Sequence, residues 1–250
     1  QRIRKFRPHI VGVTCPYTHQ WGNAREIIDL VKVIDENIPV VIGGVHASGL
    51  PNDVLMDSPA DIAVLRQTDA TFPDLLNAMT GRTGYPNGIY DVEGIAFRKN
   101  GKVEITRPRA FLKDISEISR PDYSLIDLKN YSGPFNSAGR RALDEGLIAV
   151  VFSSIGCDVG CTFCAIPGSQ GGYRAVTPAI FGELLDDLCK KGVSEAIEEA
   201  DHMLEDPLHA LQIFEQYKRH NLKWTQEGGL SLFALISLLP EVSESSICDN

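Results

Sequence analysis

The stretch Leu147-Ile-Ala-Val-Val-Phe152-Ser-Ser-Ile-Gly156-Cys157-Asp-Val-Gly-Cys161-Thr-Phe163-Cys164 decides how this chain is read. Its first half is an unbroken apolar, β-branched run, the pattern of a strand buried on both faces in a parallel sheet. Its second half sets three cysteines at the spacing C-x3-C-x2-C, in the loop directly after that strand. Thiolates this close together can ligate a metal without distant parts of the chain, and as soft donors they suit zinc or iron–sulfur. A structural zinc wants a fourth protein ligand. His202 and Cys189 are available, neither at a standard spacing. A [4Fe–4S] cluster on three cysteines instead leaves one iron open to an added ligand, which is a catalytic arrangement. The loop at the C-terminal end of a barrel strand is also where (β/α) folds keep their active sites.

Beyond the loop the alternation continues. Thr177-Pro178 has the form of an N-cap followed by a first-turn proline, which predicts a helix over 178–191 closed by Gly192. A weaker strand follows over 193–199, then a helix over 207–220, a strand over 222–225 and a last helix over 231–239. These βα units predict part of a (β/α) barrel. Upstream, His9–Thr14, Pro39–Gly43 and Asp61–Leu65 read as buried strands. Helices are expected over 23–36, with Ile27, Ile28, Leu30, Val31 and Ile34 as its apolar face, over 51–57 and over 72–80. Strands alternating with helices imply a second parallel sheet. Between the two runs, 94–98 and 102–106 form a hairpin about Asn100-Gly101, inside an extended connector carrying Pro108, Pro121 and Pro134. The expected division is 1–81, 82–146 and 147–250.

The 250 residues carry 24 Lys+Arg against 33 Asp+Glu, a net charge of −9, which argues against a dedicated nucleic-acid binder. No apolar run approaches the ~18 residues of a membrane span, and no secretory signal opens the chain. The six cysteines stand at 15, 157, 161, 164, 189 and 248, one tight trio and three scattered residues. That is a metal site in a reducing, cytoplasmic compartment rather than a disulfide framework.

Gly156-Cys157-x3-Cys161-Thr-Phe163-Cys164 resembles the radical S-adenosylmethionine (SAM) enzymes, including the aromatic residue before the last cysteine. Pro8–Thr14, Val40-Val-Ile-Gly43-Gly44-Val-His46-Ala47, Thr71-Phe72-x2-Leu75-Leu76 and Gly94–Arg98 resemble the cobalamin-binding domain that often precedes such a barrel. Pro121-Asp-Tyr-Ser-Leu125 and Tyr173-Arg174-x2-Thr177-Pro178 resemble its connector and barrel-entry signatures. The implied fold is α/β: a partial Rossmann-like parallel sheet of the cobalamin-binding type, followed by a partial (β/α) radical SAM barrel. The resemblance implies that Cys157, Cys161 and Cys164 hold a [4Fe–4S] cluster, with SAM on the fourth iron. Phe163 would shape the adenine side, and Asp201, with Glu199 as the competing choice, would face the SAM amino group. Thr14, Gly43 and Gly44 would line the corrinoid tail, and His46 would face the same cofactor. The activity implied is reductive cleavage of SAM for methyl transfer or for radical rearrangement or cyclisation of a small-molecule substrate. A reductant such as flavodoxin or ferredoxin would supply electrons.

Each of these residues also has an ordinary reading. The trio could hold structural zinc, Gly43-Gly44 could be a tight turn, and His46 could bond backbone. Asp201 and Glu199 could be a solvated strand end, and Trp224 a core residue. The remaining histidines, His202 and His209 among them, read as surface or capping residues. The sequence also departs from the family. About two earlier βα units are absent. The acidic-glycine turn after the third strand reads Arg66-Gln67-Thr68-Asp69, the paired acids near 200 read Ala200-Asp201, and the basic residue after Trp224 is replaced within Glu227–Ser231. The chain is therefore expected to be a fragment or a degenerate member. Two alternatives follow: a radical SAM enzyme whose first domain no longer binds cobalamin, or a non-catalytic iron–sulfur- or cobalamin-binding fragment.

Overall fold

A short helix, α1 (Arg2–Phe6), leads into strand β1 (Val11–Thr14), helix α2 (Trp21–Ile34) and strand β2 (Val40–Gly43). Helices α3 (Val45–Gly49) and α4 (Pro51–Asp57), strand β3 (Ile62–Val64) and helix α5 (Thr68–Met79) complete the α/β run, and the hairpin β4 (Ile95–Lys99) and β5 (Lys102–Ile105) follows. This is the chain in a computed structural model, which describes residues 2–118, 120–131 and 146–238. Two compact units divide between Phe111 and Leu112.

In the first unit the strand order is β1-β2-β3-β4-β5. β1, β2 and β3 pair in parallel, Val11 opposite Val40 and Val41 opposite Ile62. The period of two along β2 sends Val40 and Ile42 to one face and Val41 to the other. The first face packs on Ile28 and Val31 of α2 and on Val54 and Leu55 of α4. The second packs on Leu75 and Ala78 of α5. Each such large side chain, fully buried, stabilises the fold by about 1.5–3 kcal/mol.

Three expectations change here. The hairpin is not in a connector. β4 pairs antiparallel with β3, Ile62 opposite Phe97, because Ile95, Ala96 and Phe97 are apolar enough to be buried on β3's open edge. β1 is not buried on both faces. It alternates, with Gly12 and Thr14 exposed, because it lies at the end of the strand order. The buried stripe of α2 is Ala24, Ile28 and Val31, at spacings of four and three, and Ile27 and Leu30 stay about half exposed. In addition α5 starts at Thr68 rather than Phe72, so Pro73 lies inside it.

The sheet of the second unit starts with β6 (Leu147–Val151), which pairs in parallel with β9 (Val193–Glu198), itself paired with β10 (Lys223–Gln226). Between β6 and β9 lie β7 (Ser154–Ile155), α6 (Ile166–Ser169), β8 (Arg174–Ala175) and α7 (Pro178–Lys190). α8 (Pro207–Arg219) joins β9 to β10, and α9 (Leu232–Ser237) follows. The expected Thr177 cap forms, its hydroxyl accepting from Ile180 N–H, and Gly192 takes φ 85°. α8 has a cap that was not expected, Asp206, which accepts from the Leu208 and His209 N–H groups. Phe181, Leu185 and Leu188 of α7 and Ile213, Phe214 and Tyr217 of α8 form the core over the sheet. Trp224 is core, stacked on Tyr217 at 5.1 Å and on Phe214 at 5.4 Å. No helix among the described residues is long and apolar enough to cross a membrane. Pro134 of the connector, Cys248 and the end of the helix expected over 231–239 lie outside the described residues.

Candidate functional site

The cysteine loop leaves the C-terminal end of β6 and is closed at its base. β7 and β8 pair antiparallel, Ser154 opposite Ala175 and Ile155 opposite Arg174, so residues 156–173 are drawn out as one loop. Gly156 makes the pinch possible. Its φ is +79°, and a Cβ there would lie 2.2 Å from the Gly172 carbonyl oxygen. Such a conformation and such a contact admit only glycine.

Polar contacts hold the loop. Asp201 Oδ2 accepts the Gly156 N–H at 2.7 Å, and the Gly171 carbonyl accepts the Cys157 N–H at 3.3 Å. Asp158 accepts from the Tyr173 N–H at 3.3 Å. The Arg174 guanidinium donates to the carbonyls of Gly172, Leu112 and Gln170. The Tyr173 hydroxyl meets His209 Nδ1 at 3.2 Å, and His209 Nε2 meets the Val176 carbonyl at 2.8 Å. With that carbonyl taking the Nε2 proton, Nδ1 is the acceptor for the phenol. Burial, then the Asp206 carboxylate, pushes Tyr173 up to about 12.

The three cysteines are free thiols, with Cys161 exposed and Cys157 and Cys164 half-buried. Cys164 Sγ accepts the Ile166 N–H at 3.4 Å. Cys157 Sγ lies 3.9 Å from Glu205 Oε2, which is 2.6 Å from His202 Nδ1. Burial, together with the Glu205 carboxylate and the other two thiols, pushes the Cys157 thiol up. Phe163 is 91% exposed beside the trio.

The other predicted residues divide. Asp201 reaches the loop, but as a partner of Gly156 backbone. Burial raises its pKa, opposed by that hydrogen bond and by Arg174. Glu199 turns to Glu227. Burial, then the hydrogen bond and charge of Glu227, push Glu199 up. In the first unit Thr14 is exposed at the end of β1. A Cβ on Gly43 would keep ordinary van der Waals distance, 3.7 Å from Thr68 Cγ2. Gly44 is different: at φ +99°, a Cβ would lie 2.5 Å from the Cys15 carbonyl oxygen. His46 is 7% exposed, its ring 5.3 Å from that of Trp21 and its Nδ1 3.3 Å from Thr18 Oγ1.

Sequence reasoning missed several groups. His202 is buried rather than a surface residue, and His209 is locked between Tyr173 and Val176. Glu198 was missed altogether. It is fully buried, accepts from Ser153 N–H and Ala200 N–H, and takes the Tyr217 hydroxyl at 2.8 Å. Burial raises it to about 7 against those hydrogen bonds. The signal available was an acid closing the apolar run Ala196-Ile197, with a tyrosine on the helix that covers it.

Residues 1–76 match the B12 binding domain family. An uncharacterized methyltransferase of Pyrococcus horikoshii is 32% identical over 165 residues, covering 65% of this chain and 32% of that protein. Cytidylyl-2-hydroxyethylphosphonate methyltransferase of Streptomyces wedmorensis is 23% identical, over 93% of this chain and 47% of its own. The anaerobic magnesium-protoporphyrin IX monomethyl ester cyclase of Rubrivivax gelatinosus is 26% identical, over 76% of this chain and 33% of its own. The chain thus spans less than half the length of these curated relatives. Among solved structures, the radical S-adenosylmethionine methyltransferase TsrM from Kitasatospora setae, with cobalamin and a [4Fe–4S] cluster bound, superposes with a TM-score of 0.64 at 18% identity. That match covers 87% of this chain and 44% of TsrM.

Proposed function

We propose that this chain is part of a radical SAM protein with an N-terminal B12-binding domain, and that it supports reductive cleavage of SAM at a [4Fe–4S] cluster on Cys157, Cys161 and Cys164, in the service of methyl transfer to a small molecule. The observation that carries this reading is the loop itself: three free thiols on a segment pinned at its base. The donor set fits an iron–sulfur cluster, being all thiolate and one ligand short of four. When bound and reduced, the cluster supplies the electron that splits SAM.

The protein's own part is positioning. Asp201 fixes Gly156 and with it the direction in which Cys157 leaves the strand. Arg174 gathers carbonyls of the returning limb. Phe163, exposed beside the trio, would lie against the adenine of SAM. Asp201, its carboxylate already bonded to Gly156, keeps an oxygen for the SAM amino group, and Glu199 is the weaker choice because Glu227 engages it.

Cobalamin is proposed against Thr14 and Gly43 in the first unit, as the donor side of methyl transfer. Gly44 and His46 are assigned to packing instead. The same observation favours a second reading, in which the first unit is a scaffold that no longer binds cobalamin. Radical cyclisation is the other outcome the relatives suggest. An electron donor of the flavodoxin or ferredoxin kind, in a reducing cytoplasm, completes the proposal.

Anaerobic reconstitution with iron and sulfide tests it. The expected result is roughly 4 Fe per chain, with reduction yielding methionine and 5′-deoxyadenosine from SAM. Cys161→Ala should lose both, and full iron loading in that variant would falsify the ligand assignment. Visible absorbance after incubation with cobalamin separates the two readings of the first unit.

A further inference from the structure

Arg66 stands just past the C-terminal end of β3, on the rim of the sheet that also carries Thr14 and Gly43. Its N–H donates to Ser48 Oγ at 2.8 Å, and the Ser48 hydroxyl donates to the Gly44 carbonyl at 2.9 Å, which anchors the residue against the turn after β2. Its guanidinium lies over the Phe111 ring at 5.2 Å. A ring against one face leaves the N–H edges of the fork free to donate. Arg25, Arg107 and Arg109 of the same unit each pair with a carboxylate, of Asp57, Glu93 and Asp74. Among the described residues no carboxylate pairs with Arg66, although the chain carries a net charge of −9. Asp69, the acid nearest in sequence, is exposed in the first turn of α5. Packing does not account for arginine here. Its φ is 61°, where glycine would be unstrained. The ring contact is worth about as much as that strain costs, so the two offset each other. Strained residues of this kind collect at binding sites. The turn also departs from the cobalamin-binding pattern, with Arg66-Gln67-Thr68-Asp69 in place of an acid and a glycine, so a cation stands on this rim where an acid is expected.

We propose that Arg66 is an anion-binding residue for the corrinoid, its guanidinium taking the phosphodiester of the nucleotide tail. The proposal rests on the cobalamin reading above, which sets the tail against Thr14 and Gly43. Those residues face each other across the β1–β2 pair, and a Cβ on Gly43 would lie 3.8 Å from the Val64 carbonyl oxygen, so the ends of β2 and β3 adjoin. A ligand at the C-terminal ends of these strands therefore reaches Arg66 without leaving the rim. The phosphodiester is the one anionic group among the amides at the corrinoid's periphery, and a guanidinium fork matches its paired oxygens. Phe111 holds the fork in place before the ligand arrives, which lowers the ordering cost of the contact.

The test is a binding titration of the full chain, followed by visible absorbance and checked by equilibrium dialysis. Two probes are used: hydroxocobalamin, and aquacobinamide, which lacks the phosphate, ribose and base. Wild type, Arg66→Gln and Arg66→Gly are compared. Removing the guanidinium should weaken cobalamin binding about ten- to a hundredfold and leave cobinamide binding unchanged. Wild-type cobalamin affinity in the variants overturns the proposal, and is the result expected if Arg66 serves a phosphate carried by some other molecule. An equal loss for both probes also overturns it, because that reports a damaged site rather than a lost phosphate contact. Should Arg66→Gln fail to fold, Arg66→Gly, unstrained at this φ, decides by the same comparison. Wild type that takes up neither probe sinks the cobalamin reading itself, and this inference with it.

Discussion

Both units place glycine at the C-terminal end of a strand, and both glycines have positive φ. Yet they open onto different things. Gly44, after β2, makes room for the chain's own Cys15 backbone, and His46 beyond it folds inward against Trp21. Gly156, after β7, also makes room for backbone, that of Gly172, but the effect is to push the following residues outward as a loop of free thiols. A close-approach glycine therefore does not by itself mark a ligand site. What distinguishes the two is the side chains that follow.

The sharpest way to break this comparison is to add a methyl group to each glycine. Gly44→Ala and Gly156→Ala each combine a left-handed backbone cost of about 1–2 kcal/mol with a clash against fixed backbone, so several kcal/mol are expected for each. The effects should separate. Denaturant unfolding followed in each unit should show Gly44→Ala weakening the first unit with iron loading intact. Gly156→Ala should lose iron loading, with the first unit's transition unmoved.

A next effect belongs to Glu198. Its carboxyl is raised by burial to about 7, so the folded state holds that proton at pH values where the unfolded chain has released it. This contribution is complete below the unfolded value near 4.5 and is lost as pH rises through about 7. It is worth on the order of 3 kcal/mol between those limits. The melting temperature of the second unit should fall between pH 5 and 8, and Glu198→Gln should flatten that fall.

Asp201 sharpens the comparison by a smaller amount. Asparagine can still accept the Gly156 N–H, whereas alanine cannot. Asp201→Ala should destabilise the loop by about 1–3 kcal/mol and lower iron loading, and Asp201→Asn should restore loading. If Asn also restores SAM affinity measured by titration, the residue acts through Gly156 rather than on the SAM amine.

The smallest effect is a gain. Arg66 holds φ 61°, a left-handed value that costs a residue bearing a Cβ about 1 kcal/mol or more, and its guanidinium lies over Phe111 at 5.2 Å. Arg66→Gly should raise the stability of the first unit by up to about 1 kcal/mol, less the lost ring contact. An unchanged or lowered midpoint would show that the Phe111 contact outweighs the strain.

What could be read in the sequence follows the range of each interaction. β6, α7 and β9 are set by local apolar runs and by the Thr177-Pro178 cap, and they form within a residue or two of expectation. The cysteine loop was legible because all three donors fall within eight residues. Glu198 was not, because its partner Tyr217 lies 19 positions away, and although His202 and Glu205 meet three positions apart, their contacts to Ser231 and Cys157 span 29 and 48 positions. The hairpin was legible as a hairpin, through Asn100-Gly101, but its place on β3 was not. A pattern of alternating residues says which face is buried and nothing about which edge is free.

The chain's two tryptophans, Trp21 and Trp224, fall one in each unit, each packed against its own ring partners. The molecule thus carries a separate intrinsic fluorophore for each half. Replacing either indole with phenylalanine leaves emission that follows the other half alone, so the two foldings can be watched independently without an added label.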